Sequence, residues 1–140
     1  MDLRPYSLTD QDACLAVFDS LTPLPSPRAE FLKFLQHPDG SYFVMQQNEA
    51  IVGCGGYINS PEGGQARLIW GMIRSDLQRQ GLGRFLLMYR LREIGKSGDI
   101  QLVHATAPQH SARFFERQGF KVFSTNHSQV ELVKKLNVCG

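Results

Sequence analysis

Residues 66–94 read as three consecutive pieces: an apolar run, ARLIWGMIR, a glycine-bearing turn, SDLQRQGLGR, and a helical pattern, FLLMYRLREI. This stretch constrains the rest of the chain most. A strand apolar on both faces, here residues 67–74, belongs in the middle of a sheet and needs partners on either side. The turn is Gln78, Arg79, Gln80, Gly81, Leu82, Gly83 and Arg84. Gly81 and Gly83 lack a Cβ, so the backbone there can take unusual dihedrals and approach a ligand closely. The helix behind them starts with unpaired N–H groups and a partial positive charge, which favour a phosphate, and Arg79 and Arg84 add full charges. The alternative is a strand-to-helix turn in which the glycines only relieve strain.

Two phosphate motifs are excluded by spacing. The dinucleotide fingerprint needs a third glycine where this chain has Leu86, and the P-loop needs a glycine at Arg90, five residues ahead of Gly95-Lys96-Ser97. What fits is Gln78-x-x-Gly81-x-Gly83 behind a strand ending Met72-Ile73-Arg74. This resembles the acetyl-CoA-binding motif of the GNAT superfamily of N-acetyltransferases. A second match follows at residues 107–120, APQHSARFFERQGF, where a small helix opening at Ser111 closes on Gly119-Phe120 and leads into a strand. Two motifs in this order, with a strand between them, are more specific than either alone.

The remaining elements follow the same order. Residues 3–8 form a first strand with Pro5 near its start, suited to an edge. Thr9 caps a helix carrying Ala13, Val17 and Leu21 on one side. Pro23 and Pro25 interrupt it, and Ser26 with Pro27 starts a second helix that reaches Gln36 through Phe31, Phe34 and Leu35. That aromatic helix and its linker are either simple packing or one wall of an acceptor pocket. Residues 42–47 and 51–58 read as a hairpin, with Gly53, Gly55 and Gly56 marking a bulge or a close backbone approach. Residues 59–64 are a polar loop. The helix over residues 81–95 places Leu87, Met88, Leu91 and Ile94 on one face, widened by Phe85 and Tyr89, with Arg84, Arg90, Arg92 and Glu93 on the polar side. Residues 100–106 are the next strand, and the intervening helix makes the two strands parallel. The motif helix over residues 108–118 has Gly119 as its C-cap. Strands over 120–124 and 129–136 end the chain. The expected class is α/β (α+β): a mixed sheet of about seven strands with four helices, in the order β-α-α-β-β-β-α-β-α-β-β. That is the order of the GNAT fold.

At 140 residues the chain is expected to be a single domain, residues 1–140, with one core that needs no metal or disulfide. Cys14, Cys54 and Cys139 are odd in number and widely spaced; the first two read as small core residues and Cys139 as an exposed thiol. Four histidines without ligand spacing indicate no metal, and a net charge of +2 with scattered basic residues gives no case for nucleic acid. The local positive field is expected from Arg74, Arg79 and Arg84. No apolar run approaches a membrane span and no signal-peptide core precedes the first strand, so the expected location is cytoplasmic.

The resemblance implies a set of roles. The turn would grip the CoA pyrophosphate, and backbone groups of Met72, Ile73 and Arg74, freed by strands that splay apart, would bond the pantetheine. A backbone N–H of Gly71 or Met72 would polarise the thioester carbonyl. Two positions depart from the family pattern. Its pantetheine-binding Asn falls on Pro108, beside which Gln109 offers an amide, and its thiolate-protonating Tyr is Phe115, which with Phe114 reads as packing against CoA and the core. The Glu that serves several relatives as base falls on Arg67. His104 is therefore the candidate base, weighed against an ordinary structural histidine. The reading is acetyl transfer from acetyl-CoA directly to a primary amine of a small molecule or peptide, by a monomer or homodimer. The alternative is a CoA- or acyl-CoA-binding sensor that does not turn over.

Overall fold

In the computed structural model, which describes residues 1–136, the strands are β1 (Asp2–Pro5), β2 (Ser41–Gln47), β3 (Ala50–Ser60), β4 (Gln65–Ile73), β5 (Leu102–Pro108), β6 (Lys121–Thr125) and β7 (Gln129–Lys135). They form one sheet in the order β1-β2-β3-β4-β5-β7-β6, so β4 is its middle strand. Every neighbouring pair is antiparallel except β4 and β5, which the intervening helix makes parallel. The helices are α1 (Gln11–Asp19), α2 (Arg28–Gln36), α3 (Leu82–Gly95) and α4 (Ala112–Arg117), giving seven strands and four α-helices among the described residues. The fold class and the element order expected from the sequence both hold. Cys139 lies outside the described residues.

Strand alternation sorts the core into two sides. Tyr42 and Val44 pack with Cys14, Val17, Phe18, Phe31 and Leu35 of α1 and α2. Phe43 and Met45, their neighbours in sequence, face the side covered by α3 and α4. In β4 the alternation changes phase. Ala66 and Leu68 lie on the α3 side, Ile69 and Trp70 both lie on the α1–α2 side, and from there Met72 keeps to α1–α2 while Ile73 faces α3. One extra residue produces that shift: β3 pairs Cys54 with Met72 but Gly56 with Ile69, leaving Trp70 and Gly71 opposite Gly55. Cys14 and Cys54 are both fully buried free thiols in the first of these cores.

Several boundaries move. The first strand stops at Pro5, which sits at its end and not near its start. Thr9 does not cap α1, whose N-cap position is Asp10 without a side-chain cap bond; a single turn of 3-10 helix, Leu8–Asp10, precedes it, and its capping box with Ser7 is closed by the side chain of Asp10. The Asp10 carboxylate accepts from the Ser7 N–H at 2.9 Å and from Nη1 and Nη2 of Arg4, each at 2.8 Å. Pro27 is the N-cap of α2 and Arg28 its first residue, where Ser26 and Pro27 were expected. The loop after β3 is shorter than residues 59–64, because β3 runs to Ser60. No helix among the described residues is long and apolar enough to cross a membrane.

The Asp10 cap gives a pH-resolved prediction. Hydrogen bonding to Arg4, against the opposing pull of burial, lowers its pKa below the ordinary 3.8. A carboxylate whose pKa is lowered on folding adds stability that is present above 3.8 and disappears as pH falls through the lower folded value. Asp10→Asn is expected to lose about 1–2 kcal/mol at neutral pH. Urea unfolding should show that gap closing below the ordinary aspartate range, and a gap that does not depend on pH would contradict the assignment.

Candidate active site

The parallel pair β4–β5 is short for the strands that form it. Gln65 pairs with Leu102, Ala66 with Val103 and Arg67 with His104, and there the ladder stops. β4 continues to Ile73, while β5 runs on to Pro108 fully paired to β7. Backbone groups of β4 that face β5 beyond Arg67 therefore have no strand partner, and buried backbone groups ordinarily have one. The bulge at Trp70 and Gly71 accounts for the parting, since a bulge bends its strand and adds twist. Trp70 has φ +44°, which is uncommon for a bulky residue and is held only where the surroundings over-determine it. The Tyr42 hydroxyl donates to the Trp70 carbonyl at 2.7 Å, and the rings of Phe31 and Phe34 lie 5.0 and 6.0 Å from the indole. Gly71 is exposed at the split; Met72 and Ile73 behind it are buried.

From the end of β4 the chain is tied down step by step. The Arg74 N–H donates to Val52 O at 2.8 Å, Ser75 N–H to Ser20 Oγ at 3.0 Å, Leu77 N–H to Arg74 O at 2.9 Å, and the Gln78 side chain to Ile73 O at 3.1 Å. Arg79 then takes φ +66°, and Gly81, at φ +84°, is the N-cap of α3. Phe85 N–H makes the first helical bond, to Gly81 O at 3.0 Å. The amides of Leu82, Gly83 and Arg84 precede it and have no acceptor within the helix. Space in front of them is open: a Cβ on Gly81 would meet nothing within 4 Å, and one on Gly83 only the Phe114 ring at 3.7 Å. Arg79, Gln80 and Arg84 are exposed around this opening.

The second motif forms the facing wall. A 3-10 turn, Gln109–Ser111, leads from β5 into α4, with Pro108 and Gln109 exposed and Phe114 half-buried opposite Gly83. Phe115 stands edge-on between Phe114 at 5.3 Å and Phe120 at 5.4 Å, a packing position. Gly119, at φ +93°, ends the helix. Split, turn and facing wall are contiguous, and each is built mainly from backbone.

The sequence profile of the acetyltransferase (GNAT) family matches residues 11–120. The chain belongs to this family. Its fold is shared with several solved proteins. One is a PaiA N-acetyltransferase from Thermoplasma acidophilum in complex with coenzyme A, with TM-score 0.78 and 16% identity over 96% of this chain and 98% of that one. Another is the ribosomal-protein-S18-alanine N-acetyltransferase from Escherichia coli, with TM-score 0.82 and 19% identity over 99% and 96%. An acetyltransferase from Thermus thermophilus gives 0.77 and 24% over 96% of each. No curated protein matches in sequence. As a GNAT acetyltransferase the chain takes acetyl-CoA as cosubstrate.

Within the GNAT frame, three expectations change. Arg74 does not add free charge to the turn, because its guanidinium pairs with Asp76 at 2.7 Å, and its N–H is already donated to β3. His104 sits on the last rung of the ladder, but both ring nitrogens are buried without a partner and the ring stands edge-on to Phe123 at 5.9 Å, the setting of a packed histidine. Arg90 is not on the polar side of α3 but buried, on the line of Leu82, Leu86 and Ile94, whereas Phe85 and Met88 are exposed. The spacing of four along that line was the available signal. A further arrangement was not foreseen: Arg67 reaches from β4 across to Thr106 of β5 at 3.1 Å, and Thr106 donates to Glu131 of β7 at 2.8 Å. Two depressions of about 440 and 410 Å³ lie elsewhere, lined by residues such as Asp39 and Tyr57 or Arg4 and Asp10, and involve neither β5 nor residues 78–84.

Proposed function

We propose that this acetyltransferase moves the acetyl group of acetyl-CoA directly onto a primary amine of a small molecule or peptide, with both substrates bound together. The observation that carries the reading is the parted β4–β5 pair opening beside the unpaired amides of α3. Coenzyme A in the neighbour from Thermoplasma acidophilum supports it, since that protein shares this fold. The diphosphate lies at the amides of residues 81–84, with Arg79 and Arg84 outside it and Gln78 and Gln80 shaping the turn. The pantetheine follows the free edge at Ile73, with Gln109 and Phe114 opposite; Met72, expected to share this grip, turns its backbone groups to Cys54 of β3. Arg74 is left out of this grip because its N–H is taken.

At the bulge, the backbone N–H of Gly71 stabilises the oxygen that becomes negative when the amine adds, an effect worth about 3–4 kcal/mol for a well-placed donor; Met72 is left out of this role, because its register with Cys54 turns its N–H toward β3. The amine nitrogen bonds the thioester carbon, the C–S bond breaks, and CoA departs as a thiolate. A thiol of this kind has a pKa of about 8.5, so it leaves without the hydroxyl that Phe115 lacks. The ammonium proton passes to water at the open face, where Arg67, Thr106 and Glu131 line the mouth of the split.

Phe115, packed and unable to donate a proton, favours a second reading in which the domain binds CoA without turnover. Thiol release from acetyl-CoA across a broad panel of amines separates the two. The transfer reading expects release that depends on one class of amine; binding without release under every amine would establish the sensor. Absence of CoA binding in a calorimetric titration would remove both.

A further inference from the structure

Core positions of a helix that covers a sheet are ordinarily apolar, and a charge buried there is ordinarily matched by an acid. Arg90 of α3 breaks both rules. It is 5% exposed, and among the described residues no carboxylate pairs with it. Nη1 donates to Gly56 O at 3.3 Å, and Nε meets no acceptor. The floor beneath the guanidinium is glycine. A Cβ on Gly71 would lie 2.9 Å from Nη2 and 3.0 Å from Nη1, and one on Gly55 would lie 3.4 Å from Cζ. These are the residues that oppose each other at the β3–β4 bulge. An unpaired positive charge thus rests on the α3 side of Gly71, whose strand edge opens into the split. Burial pushes the guanidinium down to about 10, so it stays charged at neutral pH.

We infer that Arg90 is a positioning residue for acetyl transfer: seated on Gly55 and Gly71 without a counter-ion, it fixes the bulge and directs its charge toward the oxygen that turns negative there. The inference rests on the transfer reading above. A buried charge without a partner opposes folding, whereas its attraction for a transient oxyanion is realised only in the transition state, where it lowers the barrier. A residue kept merely to fill the space over two glycines would behave differently. Methionine would fill that space without a buried charge.

The test compares wild type with Arg90→Met and Arg90→Lys. The first readout is the carbonyl stretch of bound acetyl-CoA carrying a 13C-labelled acetyl carbonyl, by isotope-edited infrared spectroscopy, which needs no acceptor. The expected band lies at lower wavenumber in wild type and Arg90→Lys than in Arg90→Met. The second is steady-state thiol release with the best amine of the panel. Arg90→Met should lose about tenfold or more in kcat with the KM for acetyl-CoA and the CoA affinity unchanged, its melting temperature equal or higher, and Arg90→Lys should restore part of the rate. An unchanged carbonyl band, or a loss of rate matched by equal losses in CoA affinity and melting temperature, would overturn the inference. So would an Arg90→Met that does not fold, because the guanidinium would then be structural. Wild type that binds acetyl-CoA yet releases no thiol would remove the transfer reading, and the infrared comparison would still decide whether Arg90 polarises the bound carbonyl.

Discussion

Gly81→Glu is expected to lower CoA affinity by about 100-fold or more while the protein remains folded. Gly81 holds φ +84° at the N-cap of α3, and a Cβ there would meet nothing within 4 Å. A side chain at this position therefore strains the backbone by roughly 1–2 kcal/mol without striking other protein atoms. It also places a carboxylate where the amides of Leu82, Gly83 and Arg84 would receive a diphosphate. Two unit charges about 4 Å apart near a protein surface interact with roughly 4 kcal/mol, and screening by salt reduces that to the stated range. Gly81→Ala carries the strain alone and separates the two contributions. Calorimetric titration with CoA and thermal melting of both variants give the comparison; equal affinity in wild type and Gly81→Glu would mean that the diphosphate does not lie at this turn.

Phe31→Ala is expected to destabilise the fold by about 3–5 kcal/mol, lowering the melting temperature by roughly 10–20 °C. Phe31 is fully buried, stacked on Phe18 at 5.2 Å and against Trp70 at 5.0 Å. It joins α1 and α2 to the bulge that opens the sheet. Removing its ring leaves a cavity under an indole held at φ +44°, so Trp70 has room to relax toward ordinary strand geometry. Phe31→Leu should lose much less stability. A loss below about 1 kcal/mol in Phe31→Ala, read by urea unfolding, would mean the site collapses around the vacancy and that α2 does not brace the bulge.

Local signals in the sequence located the elements well. The turn at Gly81 and the helix behind it follow from glycine and apolar spacing, and the parallel pairing of β4 with β5 follows from the helix between them. What the sequence hid depends on partners far along the chain. The bulge needs Trp70 and Gly71 opposite Gly55, although the glycines at 53, 55 and 56 mark a bulge or a close backbone approach. The nitrogens of His104 are buried without a partner, and its ring meets that of Phe123, on a strand not adjacent to β5. The charge of Arg90 points to the polar side, whereas its position, four residues from both Leu86 and Ile94, points to the core. The charge of Arg74 is taken by Asp76, two residues on. Asp10, and not Thr9, sits at the start of α1, and its carboxylate is held by the Ser7 N–H and by the guanidinium of Arg4 on β1.

The most direct measurement is a CoA titration followed by backbone amide NMR, with signals assigned along β4, the turn and α3. The account predicts that the largest shifts fall on Gly71, Met72, Ile73 and residues 80–84, with smaller ones at Gln109 and Phe114. Shifts confined to other residues, such as those of the depression lined by Arg4, Asp10 and Ile51, would contradict it.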